Sequence, residues 1–256
     1  IRDYYKMKNL LKNADGVFHE AALTAVPESY LKTEEYYDVN VHGTENVLRI
    51  AKESGFKLVY ASSSSIYGDA STMPIKENFQ RNPINPYGKT KLEDEFLAEK
   101  YSEIGVKVIG LRYFNVFGIG QTDSYAGVIT KFMKNIHDDK PLVINGDGTQ
   151  VRDFIYVEDV AEANLAAMES KIENGFFNIG TGIPTTINKL AQIMISLSNS
   201  KVDIIFSKHL EGDIKKSQAD VSLAEKILGW KFKTRLELGL AKILSDKNWT
   251  DSKVFY

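Results

Sequence analysis

Cysteine is missing from all 256 residues, which removes disulfides, thiol nucleophiles and cysteine-held metals from consideration. Apolar runs of the roughly 18 residues that span a bilayer are missing too, and no signal peptide is visible. Neither sign of charge dominates: 32 Lys and Arg stand against 34 Asp and Glu, a net charge of -2. The basic surface that nucleic-acid binding requires is therefore not expected. His19, His42, His137 and His209 are scattered without ligand spacing, so no metal site is expected. Repeats and low-complexity tracts are absent. These absences fit a cytoplasmic protein with neither nucleic acid nor membrane as partner. The chain opens on Ile1 rather than Met, and its first stretch reads like the interior of a domain.

What is present is an alternation of short apolar runs with stretches of helical period, the pattern of an α/β protein with a parallel sheet. Strands are expected at 17–19, 58–61, 106–111, 140–145, 154–157 and 176–179. Helices are expected at 33–54, 86–104, 160–168, 187–197 and 223–228, with Gly55 and Gly105 as stops. The region 117–152 breaks the alternation and is richer in Gly and Asp. Trp230 and Phe232 are expected in the core of a smaller lobe, and the charge of KLEDEFLAEK is expected to mark a solvated helix face.

Two motifs carry chemistry. In PYGKTK, Tyr87 and Lys91 stand at i and i+4, one above the other on a helix. A phenol titrates near 10 in water, so proton abstraction at neutral pH needs roughly 4 kcal/mol of help. A neighbouring ammonium supplies help of the right sign. Tyr-x-x-x-Lys alone is commonplace on helices. The other motif is the run Ser62, Ser63, Ser64 and Ser65, which by itself reads as a polar loop. It closes a strand, however, and the Tyr87 helix feeds the next strand. Both therefore reach the carboxyl edge of a parallel sheet, where ligands bind in open α/β folds.

At these residues the chain resembles the extended short-chain dehydrogenase/reductases, and among them the sugar-nucleotide 4-epimerases that act on UDP-glucose and UDP-galactose. The matching blocks are FHEAAL, VNVHGTENVL, YASSSSIYG, NPYGKTKLEDE, LRYFNVFG, INGDGTQVRDFIYVEDVAEA, FNIGTG and EGDIKKSQADVSLAEKILGW, in family order along nearly the whole chain. The resemblance implies a Rossmann-like doubly wound parallel sheet with a smaller α/β substrate-binding lobe. Residues 1–116, with 153–182 returning, would form part of the NAD-binding domain; 117–152 and 183–256 would form the lobe. It implies Tyr87 as the base and Lys91 as the residue that holds the nicotinamide ribose and favours the phenolate. Ser63, four residues before Tyr67, would hydrogen-bond the reacting sugar hydroxyl. Ala21, Ala22, Asn40, Ser62 and Tyr113 would line NAD. Asn115, Val128, Asn145, Arg152, Asp213 and Ser217 would line the nucleotide sugar, and the helices after Asn40 and Tyr87 would pair in a homodimer.

The serines acquire a second meaning here. Related dehydratases carry Asp and Glu where this chain has Ser64 and Ser65, and related decarboxylases keep a glutamate. Without a carboxyl group there, elimination lacks its catalyst, which favours epimerisation at C4. A small Ser217 leaves room for an N-acetyl group, so UDP-N-acetylglucosamine is an expected second substrate.

Several departures matter. The resemblance implies roughly 55–60 further residues ahead of Ile1, including the first strand and Gly-rich turn, which this sequence does not show. As written, the chain is expected to bind NAD poorly. Gly180-Thr181-Gly182 lacks the third glycine of that turn and comes late in the fold, so it is not read as the phosphate loop. Leu210 stands where an arginine usually reaches the diphosphate, and Asn145 where an aromatic residue often packs on uracil. The alternatives are a sugar-nucleotide-binding protein without catalysis and a related NAD-dependent reductase.

Overall fold

The computed structural model describes residues 1–121, 127–209 and 214–246. Its centre is a parallel sheet ordered β1-β2-β3-β7: β1 (Gly16–His19), β2 (Lys57–Ser63), β3 (Val108–Tyr113) and β7 (Asn174–Ile179). Apart from its ends, β2 is apolar on both faces, as a strand covered on both sides must be. On one face Leu58, Tyr60 and Val108 meet Val47, Leu48, Ile50 and Ala98 from α4 (Gly43–Ser54) and α5 (Pro86–Glu103). On the other, Val59, Ile109 and Leu111 meet Val160, Ala163 and Ala224 from α7 (Val157–Glu169) and α9 (Ser222–Leu228). This is the doubly wound arrangement expected.

Local signals set the helix ends. Gly55 takes φ 78° and closes α4. The Asn85 side chain accepts from Gly88 N–H at 2.8 Å and Pro86 occupies the first turn, which starts α5. Lys57 Nζ donates to the carbonyls of Ala167, Met168 and Ser170 at 2.7, 3.1 and 2.8 Å, finishing α7.

The expected helix 33–54 is interrupted. After α2 (Val26–Leu31) and α3 (Thr33–Tyr36), a π-helical turn runs over Tyr37–His42 before α4 begins. The sequence reading also missed α1 (Tyr4–Leu11), which packs on α4, and α6 (Val128–His137).

The remaining elements build a second hydrophobic core. β4 (Asn115–Phe117) pairs with β6 (Val151–Tyr156), which pairs antiparallel with β8 (Pro184–Thr186). β5 (Leu142–Asn145) pairs with β9 (Ile204–Ser207). Phe117, Phe132, Leu142, Leu190, Met194 and Leu240 bring these strands together with α6, α8 (Ile187–Ser198) and α10 (Leu236–Ser245).

Two expectations are corrected. Trp230 packs with Val59, Ile109 and Phe177 in the core of the main sheet, with Phe232 against the same cluster. The cause is Asp159 of α7, whose carbonyl accepts from Trp230 Nε1 and whose carboxylate accepts from the N–H groups of Lys233 and Thr234. The charged segment of α5 is not a solvated face: Lys91, Asp94 and Glu95 are buried while Phe96 is 45% exposed. Compensating cations make that burial possible. Among the described residues, no helix is long and apolar enough to cross a membrane.

Candidate active site

The carboxyl ends of β2 and β3 are in register, Ser63 opposite Tyr113. Ser63 Oγ accepts from Ser65 N–H at 3.2 Å and so caps the 3-10 turn Ser64–Tyr67. The first turn of α5 lies directly on this turn. A Cβ at Gly88 would sit 2.8 Å from the Ser65 carbonyl, so glycine is what allows the approach that brings Tyr87 beside the serines. Tyr87 is half-buried and its hydroxyl has no hydrogen-bond partner among the described residues.

Lys91 is buried behind it. Its Nζ donates to the Ala61 carbonyl at 3.0 Å and to Asp94 Oδ2 at 3.1 Å. Burial disfavours its charge, but Asp94, Tyr87 and Glu20 together hold the ammonium above the usual lysine range. For Asp94, burial dominates and pushes the carboxyl up to about 6 against the pull of Lys91.

Asn40, within the π turn, is fully buried. Its carboxamide accepts from Leu23 N–H at 2.8 Å and donates to the Leu23 carbonyl and to Thr90 Oγ1, each at 3.0 Å. It thereby ties the segment carrying Ala21 and Ala22 to the turn of α5 between Tyr87 and Lys91. Tyr113 donates to Glu20, 3.1 Å from Oε1, and accepts from Asn164 Nδ2 at 2.7 Å. Burial and the Glu20 carboxylate push the Tyr113 phenol well up. Ser62 is placed differently: its hydroxyl is committed to Glu95 Oε1 at 2.6 Å, inside the protein.

A cleft of about 220 Å³ is lined by Asn115, Val128, Asn145 and Arg152, together with Lys131 and Gln150. Four of the expected substrate residues thus come together. Asn145 Oδ1 accepts from Ser207 Oγ at 2.7 Å. Ser217 is buried and fixed to the start of β6, its N–H donated to the Val151 carbonyl at 3.1 Å. That bond places the segment after 214 alongside Arg152. Asp213 and Leu210 lie outside the described residues.

Reasoning on the sequence alone missed Asp153. Its buried carboxylate accepts from the N–H groups of Thr181, Gly182 and Ala219 at 2.8, 2.8 and 3.1 Å and from Thr181 Oγ1 at 2.6 Å. The amides of Thr181 and Gly182 are therefore spent on the protein's own carboxylate, consistent with excluding Gly180-Thr181-Gly182 as a phosphate loop. Position 153 beside Arg152 was the only signal in the sequence. His19 lies in the interior, with Nε2 2.9 Å from Thr44 Oγ1.

A family model described as the NAD dependent epimerase/dehydratase family matches residues 1–180. A UDP-glucuronate 4-epimerase of Thermodesulfobacterium geofontis is 33% identical over 261 residues, 99% of this chain and 78% of that protein. Among solved structures, the UDP-glucose 4-epimerase of Thermotoga maritima with UDP-glucose superposes with a TM-score of 0.91 at 33% identity, covering 95% of this chain and 81% of that one. The UDP-glucuronic acid 4-epimerase of Bacillus cereus, solved with UDP-glucuronic acid and NAD, gives 0.88 at 32% identity, with 94% and 78% covered.

Proposed function

The chain belongs to the NAD-dependent epimerase/dehydratase family, and from that premise we propose that it epimerises a UDP-sugar at C4, with UDP-glucose and UDP-galactose as the first pair to test. The observation that carries this reading is the meeting of Ser63, Tyr87 and Lys91 at one sheet edge, with uncharged Ser64 and Ser65 where an eliminating enzyme needs carboxyl groups.

The residues present fit the nicotinamide-ribose part of NAD. Lys91 uses two N–H groups on Ala61 and Asp94 and has a third to donate to a ribose hydroxyl. Ala21 and Ala22 follow β1 and Tyr113 ends β3 at the same edge, and they would hold the cofactor with it, while buried Asn40 fixes the Ala21–Ala22 segment from behind. Bound there, NAD supplies a reversible acceptor for the hydride on C4. Tyr87 takes the proton of the C4 hydroxyl and later returns it, and Ser63 orients that hydroxyl by a hydrogen bond. Lys91 keeps positive charge beside the tyrosine throughout. Arg152, Asn115 and Val128 grip the nucleotide diphosphate end, so the sugar can turn its other face while the nucleotide stays held.

The test is conversion of UDP-galactose to UDP-glucose by protein supplied with NAD, with Tyr87→Phe as control. Turnover without net NADH change, falling about 10²–10⁴-fold in the variant, supports the reading. Net formation of NADH with a 4-keto sugar as product would identify an oxidoreductase of the reductase type running in reverse, and substrate binding without turnover a binding protein.

A further inference from the structure

The buried pair Lys91–Asp94 has a consequence for the proposed base. Nζ and Oδ2 are 3.1 Å apart, and the two side chains are 4% and 0% exposed. Among the described residues, neither the other oxygen of Asp94 nor the Tyr60 hydroxyl nearby on β2 has a hydrogen-bond partner. An ammonium this close to a carboxylate approaches a dipole, and its field one helical turn away is weaker than that of a lone charge.

The groups facing Asp94 do not cancel this effect. On its own helix, Glu95 is matched by Arg112 and Arg81. From α4 comes the neutral hydroxyl of Thr44, with His19 of β1 behind it, whose imidazole is held uncharged down to about 3 by burial. From β2 comes the Tyr60 phenol, which burial keeps protonated. Glu20 acts on Lys91 more weakly than Asp94 does.

We infer that Asp94 is a positioning residue for Lys91 whose carboxylate also mutes the lysine's field at Tyr87, so that the charge on Asp94 sets the pH range in which Tyr87 works. This rests on the reading of Tyr87 as the base. Burial pushes the Asp94 carboxyl up, to about 6.

Asp94→Asn removes the charge and leaves an oxygen for Lys91 to donate to. Two readouts are needed: the pH dependence of kcat and KM, and the tyrosinate absorbance of ligand-free protein, isolated by subtracting Tyr87→Phe. In the variant, the acid limb of kcat is expected to move about one unit to lower pH, about tenfold in rate on that limb. The tyrosinate midpoint should move in the same direction. KM should stay within about twofold, and Asp94→Glu should return the limb toward the parent. A uniform fall in kcat with both midpoints unmoved would overturn the inference. Should Asp94→Asn not fold, Asp94→Ser carries the same expected shift. A tyrosinate shift in protein that turns over no UDP-sugar would support the role of Asp94 and overturn the epimerase reading. Turnover with an unmoved tyrosinate midpoint would do the reverse.

Discussion

Both oxygens of Glu95 are met by Arg112, Nε on Oε1 and Nη2 on Oε2, each at 2.8 Å, deep behind the serine turn. Arg81 adds a bond to Oε2 at 3.1 Å and Ser62 one to Oε1 at 2.6 Å. One carboxylate thus joins α5, β2, β3 and the segment before α5. Glu95→Gln leaves Arg112 buried with its charge uncompensated, so a loss of roughly 3–5 kcal/mol is expected in urea unfolding. A loss below about 1 kcal/mol would mean that water reaches the network and screens it.

His19 makes stability depend on acidity in one direction. Burial, with Lys91 adding to it, lowers its imidazole from 6.5 to about 3. Within that window the unfolded chain binds a proton that the native chain refuses. The contribution is complete above the upper value and is lost progressively as pH falls through the window. Between about pH 8 and about pH 5, His19 should account for about 2 kcal/mol of lost stability. His19→Gln should shrink the difference between urea-derived stabilities at these two pH values by that amount; an unchanged difference would assign the acid sensitivity elsewhere.

Lys57 holds the end of α7 by three carbonyls. Replacing it with Met keeps the apolar stem and removes the donors, at an expected cost of about 1–2 kcal/mol. Amide exchange should quicken first at Ala166–Ser170, and a uniform change across the protein would argue against a local cap.

We propose that Ser217 bears on substrate choice. It is buried and bonded to β6 next to Arg152. Ser217→Tyr is expected to lower kcat/KM for UDP-N-acetylglucosamine at least about tenfold more than for UDP-glucose, since filling the space costs the larger sugar more. Equal losses on both would remove Ser217 as the discriminating residue, as would a parent protein that turns over UDP-glucose alone.

Much of the site was legible because its signals are local. Tyr87 and Lys91 share a helix face by spacing, and Ser63 ends a run apolar enough to be a strand. What stayed hidden depends on distant partners. Asp94 and Glu95 look like solvent-facing charges until Arg112 and Arg81 are placed against Glu95 and Lys91 is buried against Asp94. Trp230 is assigned to its core by Asp159, 71 residues away. The apolar period of α6 is present at Val128, Ile129, Phe132 and Met133, but the Gly- and Asp-rich surroundings obscured it.

The π turn at Tyr37–His42 carries Asn40 on a wide coil, where its amide reaches Leu23 and Thr90 together. A wide coil is a matter of phase. Removing one residue there would restore an ordinary helix but turn everything on one side of the cut by about 100° relative to the other. Asn40 would then leave one of its two partners, whichever side chain replaced its neighbours. This stretch is therefore constrained in its count of residues as well as in their identity, and a shortened homologous segment would need another way to link the loop after β1 to the helix of Tyr87.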